Sequence, residues 1–108
     1  MIGLNVKLVN KGEIMKIMKS KSNKTKTIFM NSDDVKPTLK QLQEMVGGYI
    51  EIVYAKNGDQ IILDEEGRLK GKPINIKASE TWLGDNWDKD TSNIVGDAVV
   101  LSGKVRLS

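Results

Sequence analysis

The sequence of 108 residues contains no cysteine and no histidine. Without cysteine the chain cannot form disulfides, thiolate zinc sites or iron–sulfur clusters, and it has no thiol nucleophile. Without histidine it lacks the side chain most often used for proton transfer near pH 7 and the commonest metal ligand. Both absences argue against hydrolases, and we predict a protein that is not an enzyme and uses neither a cofactor nor a metal.

A long hydrophobic run is also missing. No apolar segment approaches the roughly 18 residues that a membrane helix needs, and no signal-peptide core follows the start. A chain of this length is expected to fold as a single domain, residues 1–108, without disulfides. We therefore expect a cytoplasmic protein with no membrane partner, made by a bacterium or by something infecting one.

Charge is distributed unevenly along the chain, whose net charge is +3. Residues 1–40 contain nine lysines and three acidic residues, whereas residues 41–108 contain eight basic and eleven acidic residues. This asymmetry favours either an anionic partner at the N-terminal part or self-association through complementary faces. A plain surplus of surface lysine is the alternative without a function.

Alternating or β-prone residues predict strands in the first third of the chain. The alternation of residues 2–8 (IGLNVKL) predicts a strand within an N-terminal extension, residues 1–14. Residues 14–19 and 25–30 flank a polar break, which predicts a hairpin.

Residues 38–46 carry the clearest helix pattern. Thr38 and Gln41 form a T-x-x-Q capping box, and residues 47–48 are both glycine, which favours a helix end. The apolar residues have the spacing of one helical face, at Leu39, Leu42, Met45 and Val46. We predict one short helix packed on a sheet, because a helix of this length is marginal alone.

An Asn-Gly pair at residues 57–58 separates two apolar runs, residues 49–55 and 60–63, which is the strongest short hairpin pattern. A two-residue loop would place Glu51 opposite Asp64 and apolar pairs on both faces. One helix can cover only one of these faces. The other face needs a second layer or another subunit, and with only one helix predicted we expect a homo-oligomer.

The opposed carboxylates of Glu51 and Asp64 need a partner, because directly opposite like charges destabilise a sheet. Arg68, Lys70 or solvent would supply it. A hard cation at the acidic turn of residues 64–66 is the alternative, but it needs several further oxygen ligands.

The rest of the chain predicts irregular and β structure. The pattern of residues 71–90 predicts irregular structure. The patterns of residues 94–101 and 105–107 predict closing strands. The total is six or seven short strands and one helix. The predicted fold class is α+β with a curled or barrel-like antiparallel sheet.

Three motifs follow one another: VGGYIE at residues 46–51, EEG-x-LKG-x-P-x-N at residues 65–75, and IVGD at residues 94–97. With these motifs, residues 39–101 resemble a family catalogued only as a domain of unknown function, common in phages, prophages and Gram-positive bacteria. Residues 85–93 lie outside the family pattern, as do the first fourteen residues.

The chain departs from this family at two further positions. Asp64 stands where members often have asparagine, and Lys72 stands where they often have leucine. The resemblance implies a small phage or mobile-element protein and no reaction. From it we expect an accessory protein that acts by binding, such as a counter-defence or host-modulating inhibitor in the cytoplasm of an infected or lysogenic host.

The leading candidate site combines both tryptophans with the only two arginines: Trp82, Trp87, Arg68 and Arg106. Large aromatic side chains and arginine dominate binding energy at interfaces and ligand pockets. Tryptophan can stack a base while arginine holds a phosphate. These residues predict a host protein or a nucleotide-like ligand as partner, unless Trp87 fills a gap between the layers.

The alternative site consists of lysines in the first predicted hairpin: Lys16, Lys19, Lys21, Lys24 and Lys26. Such a cluster suits phosphates, with salt-dependent affinity and no sequence preference. Phe29 is the only aromatic residue of this segment, and no arginine is present to read bases. The alternative function is therefore non-specific nucleic-acid binding.

Overall fold

The computed structural model describes residues 25–108 and the backbone of residues 16–19. Four strands described in full form a mixed sheet, and the backbone of a fifth strand pairs with its edge. The strands are β1 (Lys16–Lys19), β2 (Lys26–Met30), β3 (Ile50–Tyr54), β4 (Gln60–Asp64) and β5 (Ala98–Leu101). Two α-helices accompany them, α1 (Leu39–Val46) and α2 (Ile76–Leu83).

The strand order is β1-β2-β5-β4-β3, and the sheet does not close into a barrel. Strands β2 and β5 are parallel, while the other neighbouring pairs are antiparallel. The predicted α+β class is confirmed. The purely antiparallel, barrel-like sheet of six or seven strands is wrong, because β5 returns to the centre of an open sheet and runs alongside β2.

Helix α1 forms where the capping box predicts it. Thr38 Oγ1 accepts from Gln41 N at 3.1 Å, and Gln41 Oε1 accepts from Thr38 N at 2.9 Å. At the other end Gly47 adopts a left-handed φ of 88°, and its N–H donates to Gln43 O at 2.8 Å. Both ends of this helix are therefore fixed by local hydrogen bonds.

The β3–β4 hairpin is confirmed, but its predicted register is wrong by one residue. Ala55 N donates to Asp59 O at 2.9 Å, Gly58 N donates to Ala55 O at 2.9 Å, and Gly58 has a φ of 93°. These bonds define a three-residue loop with a left-handed glycine, an arrangement that an Asn-Gly pair fits as well as a two-residue loop. Asp64 consequently lies opposite Ile50, and Glu51 lies opposite Leu63.

Each face of the sheet has its own apolar core. The α1 face buries residues of the strands, of α1 and of the C-terminal segment: Met30, Leu42, Val46, Ile62, Val99, Leu101 and Val105. The opposite face is built from Ala55, Ile61, Leu63, Ala78, Ile94, Ala98 and Val100, with Phe29, Val53 and Trp82 packed against them.

Helix α2, which lies in residues 71–90, shows that the prediction of an irregular excursion there is wrong. Asn75 caps the helix by accepting from Ala78 N at 2.9 Å, and the helix buries Ala78 and Ser79. Because the buried residues of α2 are an alanine and a serine, the sequence shows no helical period of large apolar residues there, and the helix pattern is weak.

The position of α2 also removes the premise for expecting a homo-oligomer. The second face of the hairpin is covered, as predicted, but by a helix of the same chain and not by a second subunit. The oligomeric state itself stays a prediction.

The chain termini match the predictions in part. The first hairpin is confirmed, with β1 antiparallel to β2 and residue 17 opposite residue 28. The expected strand at residues 2–8, within the extension 1–14, lies outside the described residues. At the other end β5 begins only at Ala98.

Residues 105–107 do not form the predicted closing strand. A 3₁₀ turn, Gly103–Val105, precedes an extended tail. The side chain of Gln60 takes the place of a neighbouring strand there, because its Nε2 donates to Leu107 O at 2.7 Å and its Oε1 accepts from Leu107 N at 2.6 Å.

Candidate functional site

Asp64, Lys70 and Lys72 form a cluster, here called the Asp64 cluster, at the C-terminal end of α1, in which the carboxylate is buried and both lysines are partly exposed. The side chain of Asp64 is fully buried, and its Oδ2 lies 2.8 Å from Lys70 Nζ and 2.7 Å from Lys72 Nζ. The same ammonium groups donate to carbonyls that end the helix, Lys70 to Gly47 O at 2.9 Å and Lys72 to Val46 O at 2.8 Å. The cluster thereby satisfies helix carbonyls that have no partner within the helix.

The ionisation of Asp64 follows from these contacts. Burial raises the pKa of Asp64, but hydrogen bonds from Lys70, Lys72 and the N–H of Glu66, together with the positive charge of Lys72, lower it to about 2. Its carboxylate is charged at neutral pH and has no free oxygen for a ligand, since Oδ1 accepts from Glu66 N at 2.9 Å. The cluster is therefore structural, and the predicted Glu51–Asp64 pair is replaced by ion pairs with two lysines.

Two motif glycines leave space for this cluster. A Cβ at Gly48 would lie 2.7 Å from both Asp64 Oδ1 and Lys70 Nζ. A Cβ at Gly96, which has a φ of 80°, would lie 2.7 Å from the Lys72 side chain. The VGG, LKG and IVGD motifs thus converge on one packing arrangement.

Asn75, the last residue of the EEG-x-LKG-x-P-x-N motif, is fully buried between α2 and the sheet. Its Oδ1 accepts from Thr27 Oγ1 at 3.0 Å and from Ala78 N at 2.9 Å. Its Nδ2 donates to Gly96 O at 2.9 Å and to Lys26 O at 3.2 Å. All four hydrogen-bonding positions of the amide are occupied, so this side chain holds the fold and is not available to a ligand.

An open groove of about 860 Å³, here called the hairpin groove, lies between the β3–β4 loop and the C-terminal end of α2. The side chains that give it chemical character are Tyr54, Lys56, Asp59, Glu80, Trp82 and Asp85.

The hairpin groove combines aromatic surface with negative charge. Trp82 is half-buried against the second core, whereas Tyr54 is 59% exposed and shares the α1 face of β3 with Ile50 and Ile52, so the two rings meet the groove from opposite faces of the strand. Three carboxylates and one ammonium group line the groove. Such a surface suits an aromatic or cationic partner group, whereas a phosphate would meet like charge.

The two tryptophans occupy different surroundings. Trp82 lies on α2 and lines the hairpin groove. Trp87 is half-buried directly after the 3₁₀ turn Gly84–Asn86 and does not line the groove.

The two arginines hold loops. Arg68 donates from one terminal nitrogen to Asn93 O at 2.6 Å. Arg106 is exposed and donates to Gly103 O at 3.2 Å and to Gly58 O at 3.4 Å, so it lies against the β3–β4 loop whose other residues line the groove. The structure brings only Trp82, of the four predicted site residues, into the hairpin groove.

Three lysines of the alternative site, Lys16, Lys19 and Lys26, lie on β1 and β2 toward the other edge of the sheet. The backbone register places Lys19 opposite Lys26 and Lys16 opposite Phe29. Lys21 and Lys24 lie outside the described residues.

Sequence reasoning missed five of the six groove residues that give it chemical character: Tyr54, Lys56, Asp59, Glu80 and Asp85. Tyr54 ends a strand just before the Asn-Gly loop, so an aromatic residue beside a turn was an available signal. Glu80 and Asp85 gain a position relative to Trp82 only once α2 is recognised, and Asn75 as a helix cap was the signal for that.

Among residues 25–108, together with the short strand at 16–19, no helix has the length and apolar character to cross a membrane. Within the same described part of the chain, no group of three or more acidic side chains is arranged to hold a metal ion.

The fold is thus an open mixed sheet with one helix on each face, whose motif residues support packing and whose groove is free. The chain belongs to the family described as a domain of unknown function, DUF3846, whose sequence profile matches residues 15–106. Comparison with curated proteins and with solved structures finds no match.

Proposed function

We propose that this protein acts by binding another protein at the hairpin groove and catalyses no reaction. The observation that carries the proposal is the groove itself, where Tyr54 is largely exposed and the carboxylates of Glu80 and Asp85 have no hydrogen bond or ion pair within the described residues. Exposed aromatic side chains beside unpaired charges are typical of interaction surfaces.

The internal use of the motif residues supports the same proposal. In the Asp64 cluster the carboxylate and the two ammonium groups bind one another. The amide of Asn75 likewise makes its hydrogen bonds within the protein. Groups that are fully engaged within the protein do not act on a substrate, whereas the groove residues are available.

The charge of the groove favours a protein partner over a nucleotide-like ligand. Carboxylates outnumber the single ammonium group of Lys56 three to one. Neither Arg68 nor Arg106 lines the groove, so no guanidinium is positioned there to hold a phosphate.

The biological role we propose is that of a phage or prophage accessory protein in the bacterial cytoplasm. It would be a counter-defence or host-modulating inhibitor that blocks the surface of a host protein. The support for this role is the sequence resemblance to a family with that genomic distribution, and the groove supplies a surface through which it would act.

Affinity capture from a lysate of infected cells tests the proposal. Tyr54→Ser should abolish capture of the host protein while leaving the fold intact. Leu69→Ser is the matched control, because Leu69 is 86% exposed and does not line the groove. If capture persists in Tyr54→Ser but is lost in Trp87→Ala and Arg106→Ala, the binding site lies outside the groove.

A second candidate function, non-specific nucleic-acid binding, is favoured by one observation. Lys19 lies directly opposite Lys26 in the β1–β2 ladder. Opposed like charges are destabilising unless an anion offsets them. Filter binding of duplex DNA across a salt series tests this candidate: a steep salt dependence supports it, and no binding at low salt excludes it.

A further inference from the structure

Strand β3 is an edge of the sheet among the residues that the structure describes. Ala55 N donates to Asp59 O across the hairpin. In an antiparallel ladder, successive residues alternate between facing the neighbouring strand and facing away from it. The peptide groups of Ile50, Ile52 and Tyr54 therefore point away from β4, toward the open edge.

Among the described residues this edge carries little protection. Natural edge strands are blunted by short length, charged residues, proline, a bulge or a covering loop, and here only the short length of β3 and the charge of Glu51 serve this purpose. Residues 50–54 read IEIVY, a β-prone sequence without lysine or proline. An edge of this kind is suited to accept a further strand.

The edge leads directly into the hairpin groove. Tyr54 is the last residue of β3 and also lines the groove, and Ala55 lines it as well. A segment that paired with β3 would therefore carry its side chains past Trp82 on α2.

The groove side chains select the charge of that segment. Glu80 and Asp85 line the same groove as Trp82, and their carboxylates have no hydrogen bond or ion pair among the described residues. A lysine or arginine side chain gains charge-assisted hydrogen bonds from the carboxylates and a cation–π contact from the ring.

We infer that the partner of the hairpin groove is an extended basic peptide segment, which adds a strand to the β3 edge and inserts a lysine or arginine side chain into the groove. Backbone hydrogen bonds supply affinity in this mode of recognition, and the pocket beside the edge supplies specificity. The inference rests on the proposed function and names the chemistry of its partner.

Titration calorimetry with three synthetic peptides tests it. The first peptide is acetyl-TRVRVRVT-amide, the second has glutamate in place of each arginine, and the third is the arginine peptide N-methylated at alternate residues. We expect the arginine peptide to bind at least tenfold more tightly than either of the others. Because the protein has a net charge of +3, general attraction would favour the glutamate peptide instead.

Charge reversal in the protein provides the matched test. Glu80→Lys should weaken binding of the arginine peptide at least tenfold. Glu44→Lys, an exposed substitution on α1 outside the groove, should leave it unchanged. Equal effects of both substitutions would overturn the inference.

Three further results would also overturn it: no binding of the arginine peptide, equal or tighter binding of the glutamate peptide, or undiminished binding of the N-methylated peptide. If the arginine peptide does not bind but Tyr54→Ser still abolishes capture of the host protein, the proposed function stands and only the inferred chemistry of the partner is wrong. If capture of the host protein does not depend on Tyr54, the proposed function itself fails.

Discussion

The two ends of the β3–β4 hairpin use polar residues in opposite ways. At one end Asp64 is buried and bound by Lys70 and Lys72, and every contact stays within the chain. At the other end Tyr54 is largely exposed, and the carboxylate of Glu80 has no partner in the described residues. The first arrangement stabilises a fold, whereas the second leaves chemistry available to another molecule.

This contrast distinguishes the motif residues that identify the family from the groove residues that we expect to bind a partner. The motifs VGGYIE, EEG-x-LKG-x-P-x-N and IVGD supply the helix end, Lys70 and the buried Asn75, whereas Asp64 lies outside them and Lys72 occupies a variable motif position. Trp82 and Asp85, which line the groove, belong to none of these motifs. The motif residues Gly47, Lys70 and Asn75 therefore serve packing in this chain, and we look for a binding surface at the opposite end of the hairpin.

The largest effect is expected from Asp64→Ala. It leaves the ammonium groups of Lys70 and Lys72 without their carboxylate, and because both lysines are partly exposed to water we expect a loss of about 3 kcal/mol, at the low end for a broken buried ion pair. Asp59→Ala, at the groove end, should change the free energy of unfolding by less than about 0.5 kcal/mol. Urea denaturation measures both variants, and similar losses would remove the contrast between the two ends.

A pair of glycine substitutions sharpens the comparison. Gly48→Ala places a Cβ against the buried carboxylate of Asp64 and the movable end of Lys70 and should cost about 2 kcal/mol, as overpacking does. A Cβ at Gly58 would meet no atom closer than 3.5 Å. Gly58→Ala should therefore lose only about 1 kcal/mol, the energy that a non-glycine residue needs to adopt the left-handed conformation. Thermal unfolding of both proteins gives the order, and a larger loss for Gly58→Ala would contradict it.

Acid should weaken the Asp64 end selectively. The pKa of Asp64 is lowered from 3.8 to about 2 in the folded protein. A carboxyl group with a lowered pKa stabilises the fold above about pH 4, and this stabilisation is lost as the pH falls toward 2. The shift corresponds to about 2 kcal/mol.

Urea denaturation at pH 6 and at pH 2 measures this loss. Asp64→Asn is the control, since it cannot titrate and should show a correspondingly smaller dependence on pH. An unchanged pH dependence in Asp64→Asn would assign the acid sensitivity to other carboxylates.

The smallest effect on stability is expected at the groove. Tyr54→Ser removes a side chain that is 59% exposed, so the free energy of unfolding should change by less than about 0.5 kcal/mol. Differential scanning calorimetry checks this value. A loss above about 2 kcal/mol would show that Tyr54 supports the fold, and the capture experiment would then no longer isolate binding.

Local elements were predictable because their determinants are close in sequence. Thr38, Gln41 and Gly47 lie within ten residues of one another, and each makes its contact inside α1. The existence of the β3–β4 hairpin was equally local. Its register was not, because the Asn-Gly pair fits two loop lengths and one extra residue moves every cross-strand pair.

The candidate site was far less predictable. Trp82 was identified as an aromatic anchor, but Glu80 and Asp85 lay in a segment predicted to be irregular. Helix α2 depends on Asn75, whose amide is held by Thr27 and by Gly96 O, distant in sequence. Arg68 and Arg106 were chosen for chemistry alone, and their loop contacts follow from the tertiary structure.

The sequence by itself determined α1, the two hairpins and the α+β class, since hydrogen bonds and backbone preferences within a few residues fix those elements. Only the tertiary structure decided the central position of β5, the second helix, the partners of Asp64 and the groove beside Tyr54. Those features join residues that lie far apart along the chain, and their contacts form only when the sheet brings them together.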